Sequence, residues 1–230
     1  NGSAWASDSS GILPGGVQAF LEIGGELFVG TRGGPVYRRR GNVWEANAGP
    51  YPAGVMADVV PVDAGTHPAG AIGASSGGGA AYLLVQPEWA GGSPPALARL
   101  PDGCGNASAV ARTSSPTREA LVTTNCGPYL VTESTVMPAT GGLGTQAAPT
   151  TLASYGSTVY GGTAGSGVLR LDGSSWNREL AFGERGTGTV NAVRSFGGGL
   201  WAAMTEGLYT RGSGPWTEVS AGLPSAGLVA

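Results

Sequence analysis

The chain has 230 residues and a formal net charge of −3, with 41% hydrophobic but only 12% charged residues, about half the ~25% charge usual for globular proteins. All 12 basic residues are Arg and His67 is the single His, which excludes lysine Schiff-base and phosphate-loop chemistry and any metal site built on two histidines. No apolar run reaches the roughly 18 residues of a membrane span, sparse charge argues against a nucleic-acid surface, and neither a metal nor a cofactor is expected.

The 43 Gly and 16 Pro, beside six Trp, describe a turn-rich chain that can still bury a core, read as one domain over residues 1–230. No long window shows a 3.6-residue apolar period. Short runs of β-branched, aromatic and small residues are bounded instead by Gly, Pro, Ser and Asn, so the chain is predicted to be all-β.

In chain order, a bulky apolar residue followed about six positions later by a strand-opening Gly marks a central hairpin. The pairs are Trp5/Gly11, Phe28/Gly34, Ile72/Gly78, Leu121/Gly127, Tyr160/Gly167 and Trp201/Gly207. Inner strands are predicted before five of them, at 17–23, 55–62, 107–113, 150–154 and 190–196. His67 falls in a run that reads as loop, 63–70. The last unit shows the repeat most fully, as four antiparallel strands A to D at 190–196, 200–205, 206–211 and 216–219.

The N-terminal hairpin lacks a preceding inner strand, and Leu228, Val229 and Ala230 stand where one could begin. This spacing predicts a six-bladed β-propeller closed by pairing of N- and C-terminal strands. Only 23 residues separate Trp5 from Phe28, so one blade is expected to lack its outer strand. The B strands place small residues beside bulky ones, as at Gly161, Gly162, Ala202 and Ala203, which suits sheets buried on both faces. A chain beginning at Asn1 without a charged, apolar leader is read as processed or excised.

The segments 198–211 and 215–224, Gly-Gly-Leu-Trp-Ala-Ala-Met-Thr-Glu-Gly-Leu-Tyr-Thr-Arg and Pro-Trp-Thr-Glu-Val-Ser-Ala-Gly-Leu-Pro, resemble repeats of two-component-regulator-type propellers. They also resemble the related sialidase-like and photosystem-assembly-factor-like propellers. Asp172-Gly173-Ser174-Ser175-Trp176 is similar to a degenerate Asp-box, a structural turn in that group, with the residue between Asp and Gly missing. The resemblance implies the fold, within a group whose functions run from sensing and assembly to glycan hydrolysis.

Antiparallel A–B–C–D order puts the B–C turns and the D-to-A connections at one end of each blade. That end is predicted to gather a ligand-binding face of Asp8, Arg32, Tyr51, Asn125, Glu184, Arg185 and Glu206, with Thr124 and Asp102 nearby. It also brings together Cys104, in a D-to-A connection, and Cys126, in a B–C turn. A disulfide between them is expected, with the oxidising compartment it implies. Arg38, Arg39 and Arg40 read as a solvated rim turn. Trp44, Trp176 and Trp216 read as packing residues of the outer strands. The sequons at Asn1 and Asn106 would matter only in a eukaryotic secretory pathway.

The leading functional expectation is a non-catalytic propeller, secreted or at the cell surface, that binds another protein or forms a structural module of a larger assembly. A lectin with one unique glycan site is the alternative. Six equivalent sugar sites are disfavoured because the six B–C turns share no polar pattern. A sialidase-type glycosidase comes third, with Arg32, Arg112, Arg194, Tyr155 and Glu206 as nominees and no Arg-Ile-Pro motif to support them.

Overall fold

A computed structural model describes residues 11–12, 17–23, 26–31, 37–46, 55–64, 67–76, 80–85, 96–104, 107–113, 119–132, 135–180 and 188–223. These form twenty strands in five four-stranded antiparallel sheets, and no helix occurs among them. Sheet one holds β1 (Val17–Ile23), β2 (Glu26–Thr31), β3 (Tyr37–Arg40) and β4 (Val43–Ala46). Sheet two holds β5 (Val55–Ala64), β6 (His67–Ser76), β7 (Ala80–Val85) and β8 (Ala96–Arg99). Sheet three holds β9 (Ala107–Arg112), β10 (Ala120–Thr124), β11 (Gly127–Val131) and β12 (Val136–Pro138). Sheet four holds β13 (Pro149–Tyr155), β14 (Thr158–Thr163), β15 (Val168–Asp172) and β16 (Ser175–Leu180). Sheet five holds β17 (Val190–Phe196), β18 (Gly199–Met204), β19 (Gly207–Arg211) and β20 (Thr217–Glu218).

In every sheet the strands follow chain order from one edge to the other. The first strands pack on one another in succession, β1 on β5, β5 on β9, β9 on β13 and β13 on β17. They therefore form a common inner layer, with the sheets radiating from it. Each of these inner strands carries one extra residue against its B-strand partner, at Gln18, Ala57, Ser108, Thr150 and Asn191. A bulge of this kind bends the strand and raises its local twist, and its recurrence sets the same bend at the same end of every sheet.

The core lies between successive sheets. Leu121, Ala109 and Ala111 of sheet three, with Ala139 and Leu143 beyond it, pack against Leu152, Val159, Leu169 and Trp176 of sheet four. Tyr160, Ala153 and Val168 then pack against Val193, Leu200, Ala202 and Met204 of sheet five. Both faces of an interior sheet are thus buried, as in β10, where all five residues are buried. Hydrogen bonds cross the same seams. Thr123 Oγ1 donates to the Pro149 carbonyl, Ser154 Oγ to the Arg112 carbonyl at 2.6 Å, and Trp176 Nε1 to the Ala139 carbonyl at 2.8 Å.

Glycine in the B strands is a packing requirement. A Cβ on Gly162 would stand 2.5 Å from Val190 Cγ1 and 2.6 Å from Thr151 Cγ2. Gly162→Ala is therefore expected to destabilise the chain by about 1–3 kcal/mol through overpacking. Gly212→Ala, at a position with nothing within 4 Å, is the neutral control; urea unfolding midpoints of both variants check the contrast.

Two sequence expectations are corrected. The run around His67 is hairpin rather than loop, since β5 extends to Ala64 and β6 begins at His67; its Ala and Gly residues carry no strand preference of their own, but the pairing of Ala64 with His67 closes the ladder. Gly11 opens no strand. It lies in a turn against the Trp44 carbonyl, while Ile12 packs on Val29, Tyr37 and Trp44.

Candidate functional site

The end of the sheets that holds the B–C turns is built from side-chain-locked turns. In sheet three, Thr124 Oγ1 donates to the Gly127 carbonyl at 2.9 Å and accepts from the Cys126 N–H at 3.0 Å. Sheet four repeats the device, with Thr163 Oγ1 donating to the Gly167 carbonyl at 2.8 Å and accepting from the Ser166 N–H at 2.8 Å. A hydroxyl that closes its own turn in this way fixes the loop without help from outside.

Covalent locking is added at sheet three. Cys104, just past β8, is joined to Cys126 in the β10–β11 turn, with their Cα atoms 5.3 Å apart. Asn125 Nδ2 donates to the Gly103 carbonyl at 2.9 Å beside the bridge, and the Cys104 N–H donates to the Pro101 carbonyl at 3.0 Å. Cys104 is buried and Cys126 exposed. The connection entering sheet three and the turn at its middle therefore move as one piece.

Of the residues expected on this face, Asn125 and Glu206 are described. Both occupy B–C turns, both are exposed, and chain topology puts both at the same end. Asp102, also exposed, precedes the bridge. Asp8, Arg32, Tyr51, Glu184 and Arg185 lie outside the described residues. The bulge residues Ser108, Thr150 and Asn191 sit at the start of inner strands, at the same end. They add a hydroxyl, a hydroxyl and an amide to the acidic turns. Composition alone gave no sign of them, since only strand register shows which residue is the extra one.

The residues nominated for glycoside hydrolysis do not assemble. Tyr155 ends β13 and its hydroxyl donates to the Gly198 carbonyl at 2.9 Å, in the turn before β18. Glu206 follows the far end of β18, roughly 20 Å away for six extended residues. Arg194 donates to Thr151 Oγ1 at 3.1 Å and to the Val193 carbonyl at 2.9 Å, Arg112 ends β9, and Arg32 lies outside the described residues. A nucleophile pair of Tyr155 and Glu206 is thus ruled out by the antiparallel run of one strand. Among the described residues, no group of three or more His, Cys, Asp or Glu is placed to hold a metal ion.

The outer tryptophans are packing residues, Trp216 included, which lies partly buried against the core cluster of sheets four and five. Trp44 and Trp176 are buried, the first beneath the Arg39 guanidinium at 5.3 Å. Trp216 is half-buried and meets Arg211 at 6.0 Å. Arg211 pairs with Glu179 across the seam between sheets four and five, and Glu179 also pairs with Arg170, which reaches Asp172. Asp172 Oδ2 accepts from Arg170 and from Asn177 Nδ2 at 2.9 Å, and the Arg170 hydrogen bond is the main reason its carboxyl lies below the ordinary aspartate value. The Asp-box-like turn at Gly173 and Ser174 is thus held by its own aspartate. Sequence reasoning missed this ion network because its members sit on three strands of two sheets.

Burial raises the Tyr160 phenol above its ordinary value of 10.0, with Arg211 opposing and Glu179 reinforcing the shift. A raised folded value means that this contribution to stability is complete below the unfolded pKa and is lost as pH rises through the folded one. Tyr160→Phe is expected to flatten the alkaline fall in the unfolding midpoint above about pH 10, read from thermal melts across that window. An unchanged slope would assign the fall to other groups, Tyr209 foremost, whose phenol is also raised by burial.

No protein family and no curated protein matches the chain. Solved structures do. The extracellular domain of a hybrid two-component system protein from B. thetaiotaomicron superposes with a TM-score of 0.69 at 17% identity, covering 96% of this chain and 31% of that one. YCF48 bound to D1 peptide gives 0.63 at 14% identity, covering 90% and 68%. BBS1N in complex with ARL6DN gives 0.63 at 13%, covering 93% and 70%.

The fold is a β-propeller.

The five sheets are accordingly blades one to five, and their inner strands line the propeller axis. The chain spans about a third of the first of those relatives. Two of these structural neighbours are extracellular domains and another is seen in complex with a second protein, and at such identities the likeness establishes the fold alone.

Proposed function

We propose that this chain is a non-catalytic propeller module that binds another protein, outside the reducing cytosol, through the end locked by the Cys104–Cys126 bridge. The observation that carries this reading is the bridge itself. It fastens a blade-to-blade connection to a B–C turn at the end where exposed polar groups gather. Recognition benefits from loops ordered before binding, because less conformational entropy is then lost on association. A disulfide persists in oxidising compartments, and two structural neighbours are extracellular domains. Neighbours solved with a bound peptide and in complex with a second protein supply the kind of partner.

The binding face comprises Asn125 and Glu206, with Asp8, Arg32, Tyr51, Glu184 and Arg185 assigned to it from the same topology. One propeller domain over residues 1–230, with a sixth blade position between blades five and one, completes the reading. Photo-crosslinking tests it. A photoreactive residue at position 125 or 206 should give discrete polypeptide adducts in the protein's own environment, and one at position 157, in the exposed β13–β14 turn at the opposite end, should give none. Equal labelling from all three, or none from 125 and 206, contradicts the reading. Binding to a glycan array that is lost on substitution at 125 and 206 would transfer the face to the lectin alternative.

A further inference from the structure

The seam between blades four and five departs from the one before it at two equivalent positions. On the face that meets the following blade, Leu130 pairs with Leu121 in blade three, and Arg170 pairs with Tyr160 in blade four. On the face that meets the preceding blade, Leu171 pairs with Val159 in blade four, and Arg211 pairs with Leu200 in blade five. Leu130 and Leu171 both pack on the apolar cluster of their seam. In the next seam the same two positions hold arginines, and both pair with Glu179. The first seam shows that leucine suffices for packing there, and an ion pair taken out of water is seldom more stabilising than the apolar residues it replaces. Packing alone therefore gives no reason for the two arginines.

Three N–H groups around that pair are buried and have no hydrogen-bond partner, Arg170 Nε, Arg211 Nε and Trp216 Nε1. Their side chains are linked, Arg170 to Arg211 through Glu179, and Arg211 to the Trp216 ring at 6.0 Å. Buried donors are almost always paired, so three in one cluster mark a place suited to acceptors from outside the chain. The cluster reaches the surface. Side-chain exposure rises from 16% at Arg211 and 19% at Glu179 to 37% at Arg170 and 42% at Asp172, and Trp216 is half-buried on the blade-five side.

We propose that this notch on the outer wall binds a neutral, hydroxyl-rich ligand, a sugar ring, held by Arg170, Arg211, Trp216 and Asp172. A sugar hydroxyl both accepts and donates hydrogen bonds, which matches buried N–H groups set among carboxylates. An anion fits less well. Glu179 and Asp172 already balance the two guanidinium charges, and Glu218, paired with Tyr209 on the same wall, adds a further negative charge. A purely apolar ligand would leave the three donors unmet. The Trp216 ring gives the C–H face of a pyranose a flat apolar surface, and its N–H supplies the polar handle. The leucine-lined seam between blades three and four offers no such chemistry. The site lies on outer strands and shares no residue with the bridge-locked end, so its failure would leave the photo-crosslinking test of that end undisturbed.

The test is saturation-transfer NMR on the purified 230-residue protein with the methyl glycosides of glucose, galactose, mannose, fucose and N-acetylglucosamine. Saturable binding of at least one is expected. Arg170→Gln and Trp216→Phe, each of which removes one of the unpaired donors, should weaken it about tenfold. Arg178→Gln should leave it unchanged, because the strand partner of Arg178 is Leu169, which faces blade three. Arg170 is partly exposed and phenylalanine keeps an aromatic ring at 216, so both variants keep the fold, which circular dichroism verifies. Absence of saturable binding across the panel, or binding that neither variant weakens, overturns the proposal. Binding lost on substitution at 125 or 206 instead also overturns it, because the sugar would then belong to the locked end. So does displacement of the glycoside by sodium acetate at constant ionic strength, which would make the ligand an anion.

Discussion

Trp176→Ala is expected to lower the thermal midpoint by about 10 °C, the largest single-residue effect in the molecule. The ring is 1% exposed and fills the seam between blades three and four beside Leu121, Leu143, Leu152 and Leu169. Truncating a buried Trp costs about 3–5 kcal/mol through lost transfer energy and the cavity left behind. In a domain of this size each kcal/mol moves the midpoint by about 2–4 °C. The indole also holds two parts of the chain together. Its Nε1 donates to the Ala139 carbonyl and its backbone N–H to the Gly141 carbonyl at 2.8 Å, so the connection leaving blade three loses its anchor as well. Trp176→Phe should recover part of the loss by filling most of the volume without the indole donor. Trp216→Ala, at a half-buried ring, should cost less than Trp176→Ala. Calorimetry on the three variants checks the order, and equal losses at 176 and 216 would refute the packing account.

Replacing both cysteines by serine is expected to cost about 3 kcal/mol, the chain-entropy value for a loop of some 20 residues. The pair spans 22 positions and contains β9 and β10. In the unfolded state the bridge restrains that whole segment. In the folded state its removal loosens the β10–β11 turn, leaving the Thr124 and Asn125 hydrogen bonds to hold it. Urea unfolding should show a lower midpoint. Hydrogen exchange should show loss of protection near Asn125 that exceeds any change in blade five. A loss confined to the midpoint, with no local change at the turn, would mean that the bridge acts only on the unfolded chain.

Much of this architecture was legible in the sequence because propeller blades are nearly local structures. Each hairpin pairs residues close in the chain, so a bulky residue and a later Gly were enough to place β10 and β11 or β18 and β19. Inner strands were found to within one or two residues, since Val, Ala and Phe at 190–196 alternate against the same small B-strand residues. The Cys104–Cys126 pairing could be inferred because topology alone puts a D-to-A connection beside a B–C turn.

What failed was local sequence without tertiary context. Gly11, expected to open a strand, lies instead in a turn against the Trp44 carbonyl, a contact that its own neighbours in sequence do not announce. Tyr155 and Glu206 look like a reactive pair on paper, yet one strand holds them apart. The ion network of Arg170, Glu179 and Arg211 and the bulge residues at the propeller mouth depend on register between strands, which composition does not encode.

The measurement that bears most directly on the central claim is non-reducing peptide mapping of the purified protein. Cleavage after Arg places Cys104 in residues 100–112 and Cys126 in residues 119–170. The account predicts these two peptides as one linked species, separated by reductant, with the intact protein about two daltons lighter than its reduced form for the one bond joined. Two free thiols under alkylation without reductant would contradict it, releasing the locked end on which the binding face rests and removing the chemical ground for a place outside the cytosol.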